Sequence, residues 1–368
     1  MTVSMTHQRL RAYTQEEDTL RALHDYLLPS FVQTVEAPKQ SLEDAALVET
    51  WEGYLMEAKE SGVYPTLCRH WVQFRFPIAE GISNSDSYRR ATRRGASTLR
   101  MPEAHGLALK APDRLKLFLY ASPAGRIPVL VAEERVDFEA IIRALCYCNE
   151  PRPVPASMGA ALIKGLNNWS RVRKLQALGG YSNLSEHKDL FQDSVIVLSR
   201  IPYSNVPATV LGLEAENWLE QSLQIRLAHE GAHYFTLRRF GSMHINMYDE
   251  LIADYAGIKA VQPHFRAEWF LRFIGLKDYP RLREAGRLNN YLGEPPLDRP
   301  AREALQAILR DAALQVEAFD HKVQSQEGAD KHCQLLALCH HSLLEMSAPS
   351  GKERLLQTFY ELQQSLEL

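Results

Sequence analysis

His229 and His233 stand four residues apart in the segment 226–235, RLAHEGAHYF. In a helix that spacing sends both imidazoles from one face, one turn apart. Two imidazoles so placed can share one divalent ion, with Zn–N distances of about 2.0–2.1 Å. Glu230 projects roughly 100° round the helix from His229, beside such an ion rather than onto it. A carboxylate there can take a proton from a metal-activated water. With 13 histidines in 368 residues, H-E-x-x-H arises by chance in about three of a hundred such chains. The motif alone therefore does not decide.

The residues downstream add weight. Sixteen positions separate His233 from Glu250, and Asp254 follows four residues later in YDELIAD, 248–254. Glu250 and Asp254 again share one helix face. A turn near Gly241-Ser242 can fold this second helix back on the first. Glu250 then reaches the ion as a third ligand, and Asp254 accepts the free ring N–H of a ligand histidine, fixing its tautomer. A plain core helix is the bland alternative. Against it, burying this many ionisable groups among Leu223, Leu227, Ala228, Ala232, Phe235, Leu251, Ala253 and Ala256 is costly without a cation.

These two segments resemble the gluzincin metallopeptidases, the thermolysin-like clan, whose pattern is H-E-x-x-H followed by E-x-x-x-D on the next helix. The resemblance covers residues 229–254 only. It implies zinc held by His229, His233 and Glu250, with Glu230 as general base and Asp254 behind a ligand histidine. It implies a peptide or amide substrate laid against the edge strand of a sheet that precedes the active-site helix. Ser194–Ser199 (SVIVLS) is the candidate for that edge. The metzincin extension is absent, since Arg239 stands six after His233. Gluzincins also use a tyrosine or histidine to stabilise the oxyanion. The local candidates are His244, in the connecting loop, and Tyr255.

Two other functions compete with hydrolysis. One is a catalytically silent zinc-binding regulatory or interaction protein, against which Glu230 argues because zinc binding does not need it. The other is a carboxylate di-iron site, which needs a second E-x-x-H pair that is not present. Cys333, Cys339, His340 and His341 do not share a helix face well enough to make a second metal site, and Cys146-x-Cys148 does not match C-x-x-C. Trp169, beside Asn167, Asn168 and Arg171, fits either a packed helix end or the wall of a substrate groove. Arg89, Arg90, Arg93 and Arg94 read as a solvated helix face rather than an anion site.

The elements that must position this chemistry follow from hydrophobic periodicity. Helices are expected over 15–34, 41–60, 137–148, 158–177, 214–240, 246–261, 264–275, 300–324, 329–346 and 351–366. Ser41 with Asp44 reads as a capping-box variant, and Gly-Val-Tyr-Pro at 62–65 as a stop. Strands are expected over 70–78, 115–121, 127–132 and 194–199, the middle two forming a hairpin. The fold class is α+β, a small mixed or antiparallel sheet on a zincin helix pair with a mostly helical C-terminal half. The expected segments are 1–65 helical, 66–212 mixed with the sheet, 213–262 the metal-binding helix pair, and 263–368 helical.

Composition supplies exclusions. With 42 basic and 45 acidic residues the net charge is −3, which argues against a nucleic-acid partner. No apolar run approaches the ~18–20 residues that cross a bilayer. Five free cysteines without framework spacing, and a start lacking a secretion signal's apolar core, point to a cytoplasmic protein. Oligomeric state is not readable from these features.

Overall fold

The computed structural model describes residues 3–28, 31, 42–177, 187–244, 246–284, 286–325 and 330–366. The chain divides into two compact units. One combines Met1–Leu42 with Pro202–Leu368, and the other, Glu43–Ile201, interrupts it in sequence.

The first unit opens with helices α1 (Val3–Leu10) and α2 (Glu17–Leu27). The helix expected over 15–34 thus ends at Leu27, with Leu20, Leu23 and Leu27 buried along one stripe. Its final positions, 29–30 and 32–34, lie outside the described residues.

The second unit contains α3 (Leu47–Ser61), α4 (Val63–His70), α5 (Asp86–Arg94), β1 (Lys116–Ser122), β2 (Gly125–Ala132), α6 (Arg135–Cys146), β3 (Ala160–Asn167), α7 (Trp169–Ala177) and β4 (Gln192–Ser199). The sheet is mixed, in the order β1-β2-β4-β3. β1 with β2, and β3 with β4, are antiparallel, while β2 and β4 run parallel. Leu130 and Ala132 of β2 and Val195 and Val197 of β4 are buried in one core with Phe138, Ile141 and Ile142 of α6. The expected hairpin is present, with Ser122 opposite Gly125 across Pro123-Ala124.

Four expectations in this unit are corrected. Residues 70–78 are not a strand but the end of α4 and a 3-10 turn, Val72–Arg75. The side chains buried there are Trp71, Phe74 and Phe76, and a step of three suits a turn rather than a pleat. Gly62, at φ 87°, does close α3. However, Val63-Tyr64-Pro65 begin α4, where an early proline is tolerated. The helix expected over 158–177 is β3 followed by α7. A bulge at Gly165 (φ 78°) shifts the register between Lys164 and Leu166. The bulge puts buried Ile163 and Leu166 three apart, a helical spacing produced by a strand. Finally, β4, which contains Ser194–Ser199, is bonded on both sides, so it offers no free edge to a peptide. Ser41 lies outside the described residues, and Asp44 accepts from the Arg126 backbone N–H at 2.7 Å instead of capping.

The first unit resumes with α8 (Ala208–Leu211), α9 (Ala215–Phe240), α10 (Met247–Val261), α11 (Ala267–Ile274), α12 (Arg299–Gln324), α13 (Lys331–Cys339), α14 (Leu343–Met346) and α15 (Gly351–Leu366). The helix expected over 329–346 breaks after Cys339, and Ser342 starts α14 with a capping box to Glu345. α12 packs against α2, α11, α14 and α15. The architecture is therefore α+β with a small mixed sheet and a helical C-terminal half.

α9 and α10 are the pair that matters for chemistry. Gly241, in the left-handed region at φ 71°, ends α9. Asn246 caps α10, its side chain accepting from the Asp249 N–H at 3.1 Å. Gly257 permits close approach of the two helices. A Cβ built there would lie 2.9 Å from the Ile225 carbonyl oxygen and 3.6 Å from the His229 Cβ.

Candidate metal centre

The helical spacing delivers what it promised. His229, Glu230 and His233 on α9 are 6–7% exposed, and Glu250 on α10 is 3% exposed. The two imidazole Nε2 atoms face each other at 3.1 Å. Glu250 adds Oε1 at 3.4 Å from His233 Nε2 and Oε2 at 3.8 Å from His229 Nε2. One ligand atom from each of the three residues falls within 4.8 Å of the others. It is the one such group found among the described residues.

The outer ring nitrogens explain why the Nε2 atoms point inward. His229 Nδ1 lies 2.9 Å from Asp254 Oδ1, as expected for the residue four beyond Glu250. His233 Nδ1 lies 3.3 Å from Asp249 Oδ2. His229 Nδ1 thus has a hydrogen-bonded carboxylate and His233 Nδ1 a carboxylate at ion-pair distance, and the two Nε2 atoms face one another. Two facing lone pairs at 3.1 Å need a cation or a proton between them. In addition, Glu250 Oε2 is buried without a hydrogen-bond donor. The donor set of two imidazoles and one carboxylate suits a divalent metal ion.

Asp254 is held on its far side. Tyr203 donates its hydroxyl to Asp254 Oδ1 at 2.6 Å, and Arg287 donates to Asp254 Oδ2. Arg287 also donates to the Tyr203 oxygen at 2.7 Å, and its Nε lies 3.5 Å from Glu250 Oε2. Tyr203 sits in a short turn whose next residues, Ser204 and Asn205, have φ of 50° and 55°. That left-handed pair is unfavourable for non-glycine residues, and it brings the phenol to the ion-facing histidine. The Tyr203 ring packs edge-on against Phe273, 4.8 Å between centroids.

Charge follows from these contacts. Burial would raise the Glu250 pKa, but Arg287 and the two histidines hold it well below the usual carboxylate range. Asp254 is likewise lowered against burial by Arg287 and His229. Burial would lower His233, but Asp249 and Glu250 raise it well above the usual imidazole value. Two buried carboxylates, Glu250 and Asp254, thus share the Arg287 guanidinium, and Asp249 and Glu250 flank His233.

The two expected oxyanion candidates have other contacts. His244 packs its ring at a tilt against Phe31, 4.7 Å between centroids, its Nε2 buried without a hydrogen-bond partner among the described residues, and gives its backbone N–H to Asp249 Oδ2 at 2.9 Å. It thereby braces the carboxylate behind His233. Tyr255 donates to Asp320 at 2.6 Å and also approaches Gln334, among buried neighbours. Its hydroxyl is fully engaged there. The Cys333 and Cys339 side chains are buried in the helical core.

Four residues escaped sequence reading: Asp249, Tyr203, Arg287 and Tyr291. Asp249 carried a signal, because two adjacent acids open α10. Burial, and then the charge of Glu250, hold the Tyr291 hydroxyl well above the usual phenol range. Tyr203, Arg287 and Tyr291 arrive from distant turns with no motif to mark them.

A family model matches residues 8–350, and the chain belongs to that family, a family of unknown function designated DUF7005. No curated protein and no solved structure matches the chain.

Proposed function

We propose that this protein is a zinc-dependent hydrolase, a peptidase or amidase of gluzincin type. The observation that carries the reading is the convergence of His229 Nε2, His233 Nε2 and the Glu250 carboxylate within 4.8 Å. Glu230 stands on the same helix turn, next to one ligand and three before the other. Zinc at such a site supplies an acidified water and a polarised carbonyl.

The remaining chemistry belongs to the chain. Glu230 takes a proton from the attacking water and passes it to the leaving amine. The Tyr291 hydroxyl, which feels the charges of Glu250 and Glu230, is the candidate donor for a developing oxyanion. Asp254 and Asp249 hold the histidine rings in the tautomer that presents Nε2.

The test is cleavage of a mixed peptide and acyl-amide pool by zinc-loaded protein, read by mass spectrometry. Wild type should release fragments. Glu230→Gln should keep its zinc and lose about 10²–10⁴-fold in rate. Equal cleavage by both would overturn the base assignment, and no cleavage by wild type would favour a silent metal-binding module.

A further inference from the structure

The second unit holds a cavity of about 460 Å³, lined by Arg69, His70, Arg75, Trp169, Arg173 and the segment 95–99. No acidic side chain lines it among the described residues. Two of its basic groups are already committed. Arg69 and His70 both pair with Glu57, the histidine at 2.7 Å. The other two are not. Arg75 is half-buried and gives its Nε to the Cys68 carbonyl, while exposed Arg173 reaches only Ser170 Oγ, at 3.5 Å. No carboxylate pairs with either among the described residues.

An aromatic wall completes the cavity. Trp169 opens α7 and donates its indole N–H to the Thr92 carbonyl at 3.0 Å. Gly95, at φ 65°, ends α5 with its backbone against the indole. A Cβ there would meet the ring at 2.4 Å. The ring is therefore fixed from behind and below. Asn168 and Arg171, its neighbours in sequence, take no part, because both are tied into a buried cluster around Asp193.

Two guanidiniums without a carboxylate partner line this cavity and can pair with a phosphate or carboxylate, and the indole can pack against a flat ring. We propose that this cavity binds a small organic phosphate or carboxylate with a planar body, its anionic group paired with Arg75 and Arg173 and its ring against Trp169. The volume of about 460 Å³ suits a small molecule. The exposed arginines of α5 do not extend the site evenly, since Arg89 and Arg90 already bind Asn84 and Asp86.

Calorimetric titration of the full-length protein with phenyl phosphate, benzoate and phenol tests this. At least one anion should bind and phenol should not. Arg75→Gln with Arg173→Gln should weaken the anion by about tenfold or more. Arg173→Gln alone, at an exposed position, should show part of that loss if the double variant does not fold. Binding should survive chelator and Glu250→Ala, which separates this cavity from the metal centre. Tighter phenyl phosphate assigns a phosphate ligand, and tighter benzoate a carboxylate. The proposal is overturned if neither anion binds at millimolar concentration, or if the arginine variants bind as well as wild type. Binding of a single-stranded oligonucleotide that phenyl phosphate does not displace would also overturn it, in favour of a polyanion surface.

Discussion

Each ring nitrogen of the two histidines has a distinct partner, and that is where residue-scale predictions lie. Asp254 takes His229 Nδ1 at 2.9 Å and Asp249 faces His233 Nδ1 at 3.3 Å. Removing either carboxylate frees a ring to rotate or change tautomer. Asp249→Ala and Asp254→Ala should each weaken zinc binding by about 10–100-fold in a competition titration. Loss of Asp249 having no effect would place His233 under other control. His233 also sets the pH dependence. Its raised pKa means that metal-free protein gains stability from the protonated ring below the ordinary imidazole range, and loses it as pH rises through the raised value. Zinc must displace that proton. Apparent zinc affinity should therefore rise about tenfold per pH unit while His233 is protonated in the free protein. A flat profile above neutrality would contradict this. The clustering of His229, His233, Glu250 and Asp254 was legible in the sequence, because helical periodicity turns spacing into geometry. Tyr203 and Arg287 were not. Their contacts span 51 and 33 positions to Asp254, and no local pattern encodes such a distance.

At the scale of elements, the site depends on how closely α10 approaches α9. Gly257 sets that distance. Alanine is normally the better helix former by about 1 kcal/mol. Here its Cβ would stand 2.9 Å from the Ile225 carbonyl, which is backbone and cannot swing aside. Gly257→Ala should therefore destabilise the protein by about 1–3 kcal/mol despite its propensity, and weaken zinc binding as Glu250 is drawn away. Unchanged melting and zinc affinity would show that the two helices can part without cost. The helix pair was readable because its caps are local: Gly241 in the left-handed region and Asn246 with its side-chain bond. The misreadings arose where tertiary structure overrode local pattern. The bulge at Gly165 gave strand β3 a helical spacing, and the 3-10 turn at Val72–Arg75 hid among β-forming residues. The Val-Ile-Val run of β4 fits an internal strand, paired on both sides, and the edge position came only from the family resemblance.

For the whole molecule, the division into two units makes a separable prediction. Every residue assigned to the metal centre belongs to the unit formed by Met1–Leu42 and Pro202–Leu368. Zinc should slow hydrogen exchange in α9, in α10 and around Arg287–Tyr291, and leave the amides of 43–201 unchanged. Equal protection throughout would mean that the two units unfold as one. Among the described residues, no helix is long and apolar enough to cross a membrane. The most direct test of the central claim is the metal stoichiometry of protein stripped with chelator and reloaded. One zinc per chain is predicted, with X-ray absorption showing two histidine nitrogens among its ligands, and with Glu250→Ala and His233→Ala falling well below one equivalent. Two irons per chain, or full zinc occupancy in both variants, would contradict it.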